Sequence, residues 1–237
     1  MTGAIALVGS GEFTPALESI DRELLAATGR TRPRVAVLLA TAGAPHSNDG
    51  PERRGELGYQ HFRTLGAEVE VLVLRSRDAA DDPAPAQAVG EADLVYLVGN
   101  RSTEICPLLA DSPVLAALRR GHDRGAVVVG SGAAAVALGE LHLQLRRRPR
   151  AVHWGPALGL VPGAIVIAAY DARPEAWRAL QLLRAPGGHL AIGIDARTAF
   201  LGRGGIWQVQ GSGRVTVWRG RRRTRHADGD LIRLIER

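Results

Sequence analysis

The chain of 237 residues carries a formal charge of +6 and is 46% apolar but only 4% aromatic, enough for a sizeable core built mainly of Ala, Val, Leu and Ile. Its single cysteine, Cys106, excludes an internal disulfide and a multi-cysteine metal site, and no apolar run is long enough to span a bilayer. The N-terminal residues lack the basic and apolar stretches of a signal peptide, so the expectation is a soluble, cytoplasmic protein forming one α/β domain over residues 1–237.

Along the chain, short apolar strands alternate with helices. Ala4–Val8 is a buried strand that ends in a Gly-Ser-Gly-Glu turn, Gly9–Glu12. Thr14–Thr28 has helical spacing, with Thr14 as N-cap and Pro15 in the first turn. Strands follow over Arg34–Ala40, Glu68–Leu74, Asp93–Val98 and Ala126–Gly130, separated by helices around Glu52–Leu65, Thr103–Ala110 and Pro113–Arg120. Asp78, Asp81 and Asp82 read as a solvated Ala/Pro-rich loop without metal spacing. Near-continuous Val and Leu runs mean strands covered on both faces, as in a parallel sheet. The final third has a strand at Ala164–Tyr170 and a helix at Arg173–Ala185. Short runs split by Gly-rich turns come after it, read as antiparallel hairpins finishing one edge of the sheet. The fold class is therefore a three-layer α/β/α sandwich with a mostly parallel, doubly wound sheet and C-terminal antiparallel hairpins.

In such sheets the ligand crevice lies beyond the carboxyl ends of the strands. Here those ends are Gly9–Glu12, Thr41–Ser47, Gly99–Thr103 and Gly130–Ala133, all small or polar. The stretch Ala126–Glu140 has the layout of a nucleophile elbow: strand, small-residue turn, helix start.

The order of these pieces resembles the serine peptidase family of dipeptidase E and cyanophycinase, with its class I glutamine amidotransferase-like fold. The resemblance rests on VGSGE, LLATAGAP, LVGNRS, VVGSGAAA, ALGLVPG, AAYDAR and AIGIDARTA. It covers most of the chain. It implies a serine nucleophile at the elbow, a histidine base before an Arg, an oxyanion hole, and no cofactor or metal. The departures fall on the chemistry. Aligned without a gap, the family's GTSAGA becomes Gly130-Ser131-Gly132-Ala133-Ala134-Ala135, which puts Gly132 at the nucleophile position. The base position becomes Ala169, with Arg173 in register, and the Glu of the family's GIGIDE becomes Ala196. No acidic triad member is evident after the elbow.

The reading that follows is a non-catalytic homologue whose crevice holds a small acidic ligand or peptide. The resemblance carries the oxyanion donors over to the amides of Ala133 and Gly99. Ser10, Asn100, Arg101 and Gly132 join them as ligand-binding candidates, Arg101 supplying a guanidinium where the family has a neutral side chain. A second reading is an active serine hydrolase that uses Ser131, with His153 as base. Against it, Ser131 lies one residue before the tip, and one residue turns a strand side chain to the other face. The bland alternative for Ser131 is a hydroxyl that satisfies turn backbone groups. Cys106 reads as a buried structural thiol. All 30 basic residues are Arg, and Arg146–Arg150 and Arg219–His226 form two basic clusters. They keep a polyanion or nucleic-acid binder as a third reading, but no aromatic interleaving or nucleic-acid module accompanies them, so they read as solvated loops. The resemblance also permits a homodimer.

Overall fold

A computed structural model describes residues 2–41, 50–146, 151–175, 182 and 185–234. The chain runs through β1 (Ile5–Val8), a 3-10 turn (Pro15–Leu17) leading into α1 (Glu18–Ala26), β2 (Arg34–Ala40), α2 (Pro51–Thr64) and β3 (Glu68–Leu74). Next come α3 (Arg77–Asp81), α4 (Pro83–Glu91), β4 (Leu94–Val98), α5 (Ser102–Leu109), α6 (Pro113–Asp123), β5 (Val127–Ser131) and α7 (Ala133–Leu138). The remainder is β6 (Leu141–Arg146), β7 (Ala151–Pro156), β8 (Ala164–Ala168), a 3-10 turn (Tyr170–Ala172), β9 (Leu190–Ile194), β10 (Thr198–Arg203), β11 (Ile206–Gly211), β12 (Val215–Arg219), β13 (Arg222–His226) and β14 (Leu231–Arg233).

The main sheet has the order β14-β11-β10-β1-β5-β4-β2-β3. Its five strands from β1 to β3 pair in parallel, while β10, β11 and β14 add antiparallel strands beyond β1. Alternation along each central strand divides the core. Val35, Val37 and Leu39 face one apolar cluster with α1 and Phe62 of α2. Ala36, Leu38 and Ala40 face the other, with side chains from α4 to α7. Each fully buried Val or Leu contributes about 1.5–3 kcal/mol, so this two-sided covering is what holds the three layers together. The central strands are thus apolar at nearly every position, as the sequence pattern requires.

Three expectations need correction. The C-terminal runs do not all finish the main sheet. Residues of β9, β12 and β13 join β6, β7 and β8 in a second six-stranded sheet of order β13-β12-β9-β8-β6-β7. The pair β8–β9 is parallel, as the long connection between these strands allows. The Asp78–Asp82 stretch is not a loop but α3 and α4, capped by Ser76 and by Asp82, whose Oδ1 accepts from the Ala84 amide at 2.8 Å. Thr14 holds the N-cap position of the first turn, but its side chain does not cap it, since Oγ1 donates to the Gly11 carbonyl at 2.6 Å. The sequence-expected helix over Arg173–Ala185 lies largely outside the described residues, as do most of the basic cluster Arg146–Arg150 and most of the turn Thr41–Ser47.

Candidate active-site crevice

The elbow is formed. Gly132 links β5 to α7 with φ 58° and ψ −119°, the dihedrals of the first central position of a type II′ turn. A Cβ built there meets no atom within 4 Å, so the tip faces open space. Its own N–H is taken by the Val8 carbonyl at 2.9 Å, which anchors the turn to β1. Beyond it, α7 starts at Ala133, and the amides of a helix's first turn have no partner within the helix.

The other turns are stitched around the tip. The Ala169 amide donates to the Gly9 carbonyl at 3.2 Å, and the Arg197 amide to the Ser10 carbonyl at 3.0 Å. The Ala196 amide donates to Asp171 Oδ1 at 2.9 Å. The turns after β1, before Arg173 and after β9 therefore meet. Ser10 contributes to this stitching through its backbone. Ala169, which the resemblance aligns with the family's histidine, has φ 45° and ψ 53°. This left-handed conformation is uncommon for Ala, and His is several-fold enriched among the residues that adopt it. Gly99, in the turn after β4, is close-packed, since a Cβ there would collide with the Ala40 carbonyl oxygen.

Ser131 points away from the tip. It shares parity with Val127 and Val129, which face α1 and α2, and it is only 2% exposed. Its hydroxyl donates to Glu12 Oε2 at 2.8 Å rather than to turn backbone. Glu12 Oε1 stands 3.9 Å from Arg54 Nε, and Arg54 Nη1 donates to Asn100 Oδ1 at 3.1 Å. One polar chain thus runs Ser131–Glu12–Arg54–Asn100 across the ends of three strands. The Tyr96 phenol lies buried behind it. Burial, ahead of the nearby charges of Asp21 and Glu12, pushes its pKa well up, while the neighbouring Ser131 acts weakly the other way. Asp21, also buried, pairs with His61 Nε2 at 2.8 Å. Desolvation raises its pKa despite that partner.

The candidate base His153 sits on β7, opposite Gln144 of β6 in the second sheet, and Ser131 has Glu12 as its partner instead. Arg101 is 62% exposed and leans on Glu104 at 3.8 Å, while the guanidinium in the polar chain across the strand ends is that of Arg54, 26% exposed. Glu12 and Arg54 escaped the sequence reading. Glu12 lies in a turn that was singled out, but a carboxylate four residues past a strand has no distinguishing pattern, and Arg54 is one of 30 arginines. The cluster Arg219–His226 is no loop: it is the β12–β13 hairpin, and Glu175 pairs with both Arg223 and Arg225.

A second polar group escaped as well. Ser102, half-buried at the first position of α5, has its Oγ 3.1 Å from Nδ1 of His142 on β6. His142 is 1% exposed, and burial lowers its pKa. Its Nε2 lies 3.1 Å from the Gln144 amide nitrogen. Gln144 in turn rests against Gly155, where a Cβ would overlap it. Cys106 is buried, and burial pushes its thiol pKa up to about 12. Among the described residues, no group of three His, Cys, Asp or Glu is placed to hold a metal ion, and no helix is long and apolar enough to cross a membrane.

Comparison with known proteins places this crevice in context. Peptidase family S51 matches residues 5–206. A cyanophycinase of Trichormus variabilis is 26% identical over 223 residues, spanning 90% of this chain and 72% of that protein. A cyanophycinase of Geminocystis herdmanii is 24% identical over 225 residues, spanning 92% and 80%. The crystal structure of a peptidase from an acI-B1 Actinobacterium superposes with a TM-score of 0.86 at 26% identity, over 99% of this chain and 98% of that one. A putative peptidase E protein from Listeria monocytogenes EGD-e shares the fold, with a TM-score of 0.64 at 15% identity over 90% and 100%.

Proposed function

The chain belongs to peptidase family S51, and from that premise we propose that it no longer cleaves through its elbow and keeps the crevice as a binding site for a small acidic ligand or peptide. The observation that carries the reading is Gly132: the strained elbow backbone is retained, with space in front of it, but no side chain is there to attack. Ala169 supports it, because a methyl at the base position cannot take a proton. What remains is recognition. First-turn amides of α7 favour negative charge. Arg54 and Glu12, joined to the elbow strand through Ser131, add both signs at the strand ends, which suits the end of a zwitterionic peptide better than a bare anion. Ser131 does not rescue the chemistry: it is buried, and its proton is committed to Glu12.

The test pairs calorimetric binding of an aspartyl dipeptide with chromatography of the same sample. The expected outcome is saturable binding with the dipeptide recovered intact, and weaker binding in Arg54→Gln. Cleavage of the dipeptide by the Ser102→Ala variant would overturn the proposal, because in that variant the elbow alone is left to cleave.

A further inference from the structure

We infer that Ser102 and His142 form a nucleophile–base pair, separate from the elbow, that accepts an acyl group from a small carboxylic ester or amide. The inference does not rest on the binding role proposed for the crevice. It rests on three features that acyl transfer requires together. The hydroxyl and the imidazole are within hydrogen-bond reach, at 3.1 Å. The base is held by a third group, the Gln144 amide, at 3.1 Å from its other nitrogen. Ser102 is only half-buried whereas His142 is buried, so the base is shielded from bulk water while the serine lies nearer the surface.

The local backbone fits the role. Ser102 opens α5, so the amides of Ser102 and Thr103 stand among the first-turn donors that lack a partner within the helix. A developing oxyanion on a substrate bonded to Ser102 Oγ finds donors there, as at any nucleophile placed at a helix start. Two residues upstream, Asn100 belongs to the crevice network through Arg54.

The tautomer is set by Gln144. With the amide nitrogen facing the ring, Nε2 accepts, and Nδ1–H donates to Ser102. A half-turn of the amide makes Oε1 accept from Nε2–H, and Nδ1 then accepts from the serine. In that state the serine proton passes to Nδ1 as Oγ bonds the carbonyl carbon. The imidazolium returns the proton to the leaving amine or alkoxide as the tetrahedral adduct collapses. Water then attacks the acyl-serine and gives its proton to Nδ1. The acid leaves as the C–Oγ bond breaks, and the proton returns to Oγ. One water is consumed per ester or amide bond. Burial lowers the pKa of His142, which favours the neutral imidazole that a base must start from.

The first test is labelling with a fluorophosphonate probe, followed by peptide mapping. The expected adduct is on Ser102. It disappears in Ser102→Ala, persists in Ser131→Ala, and forms roughly 10²-fold more slowly in His142→Gln. No adduct, or an adduct that survives Ser102→Ala, would overturn the inference. The second test does not depend on His142→Gln folding. In Ser102→Cys, the only other thiol is the buried Cys106, with its pKa near 12. Iodoacetamide at pH 7 should then alkylate residue 102 at least tenfold faster than it alkylates free cysteine, because the imidazole draws off the thiol proton as the sulfur attacks. A rate equal to that of an ordinary thiol would refute the pairing. Fluorophosphonate labelling at Ser102 alongside an intact dipeptide supports both this inference and the binding role. Absent labelling with an intact dipeptide removes only this inference.

Discussion

Replacing Gly132 with Ala separates backbone strain from steric fit, because the two are unequal at this position. The residue has φ 58° and ψ −119°, and a new Cβ meets nothing within 4 Å. The whole penalty is therefore conformational, about 1–3 kcal/mol for a non-glycine residue in such a region. For a domain of 150–250 residues, 1 kcal/mol moves Tm by roughly 2–4 °C, so the expected drop is roughly 2–12 °C. Gly130→Ala is the contrasting control. Its Cβ would sit 2.7 Å from Leu138 Cδ1 and 3.0 Å from the Ala134 carbonyl, so its penalty is one of crowding. Thermal melts followed by circular dichroism and calorimetry read both. An additional Leu138→Ala change should recover part of the Gly130→Ala loss and none of the Gly132→Ala loss. If Gly132→Ala melts with the parent protein, or above it, the elbow is not in the strained conformation and the argument for a retained but emptied site fails.

Ala169→Gly should leave stability unchanged or raise it by up to about 1 kcal/mol in denaturant titration, because relief of the left-handed strain outweighs the entropy glycine adds to the unfolded chain; a loss above that range would contradict the strain at this turn. Ser131→Ala should cost about 1.5–3 kcal/mol, the range for a hydrogen bond to a charged group, and leave dipeptide affinity unchanged in calorimetry. A large affinity loss would place Ser131 in the crevice after all. Burial holds the pKa values of His122 and His142 below the usual imidazole value. The unfolded chain therefore takes up protons that the folded one declines. This contribution is fully present above about pH 6.5 and is lost as pH falls through the lowered folded values. Denaturation midpoints should fall between pH 7 and 5, and His142→Gln should flatten that slope. Asp21 acts with the opposite sign: its raised pKa contributes stability in acid, lost as pH rises through the folded value.

Much of the fold was legible because its causes are local. The strands over Arg34–Ala40 and Glu68–Leu74 occur with the expected bounds, and helices at Pro51–Thr64 and Pro113–Asp123 begin at prolines in the sequence. The second sheet was not legible. Leu141–Arg146 carries a basic end and alternating His and Gln; it pairs with the next strand, β7, but its place in the sheet comes from a parallel pairing with β8, which lies beyond β7 in the chain. The candidate site divides in the same way. The tip of the elbow could be placed at Gly132 from its neighbours, whereas Glu12 and Arg54 became visible only as partners.

From the sequence alone follow a glycine at the tip of the turn, an alanine at residue 169 and the alternation that turns Ser131 off the tip, since residue identity and strand parity act over a few residues. Tertiary structure decided which polar groups meet. Ser131 and Glu12 are 119 positions apart, and Ser102 and His142 are 40 apart. A hydrogen bond reaches about 3 Å, and the order of strands brings such residues within it.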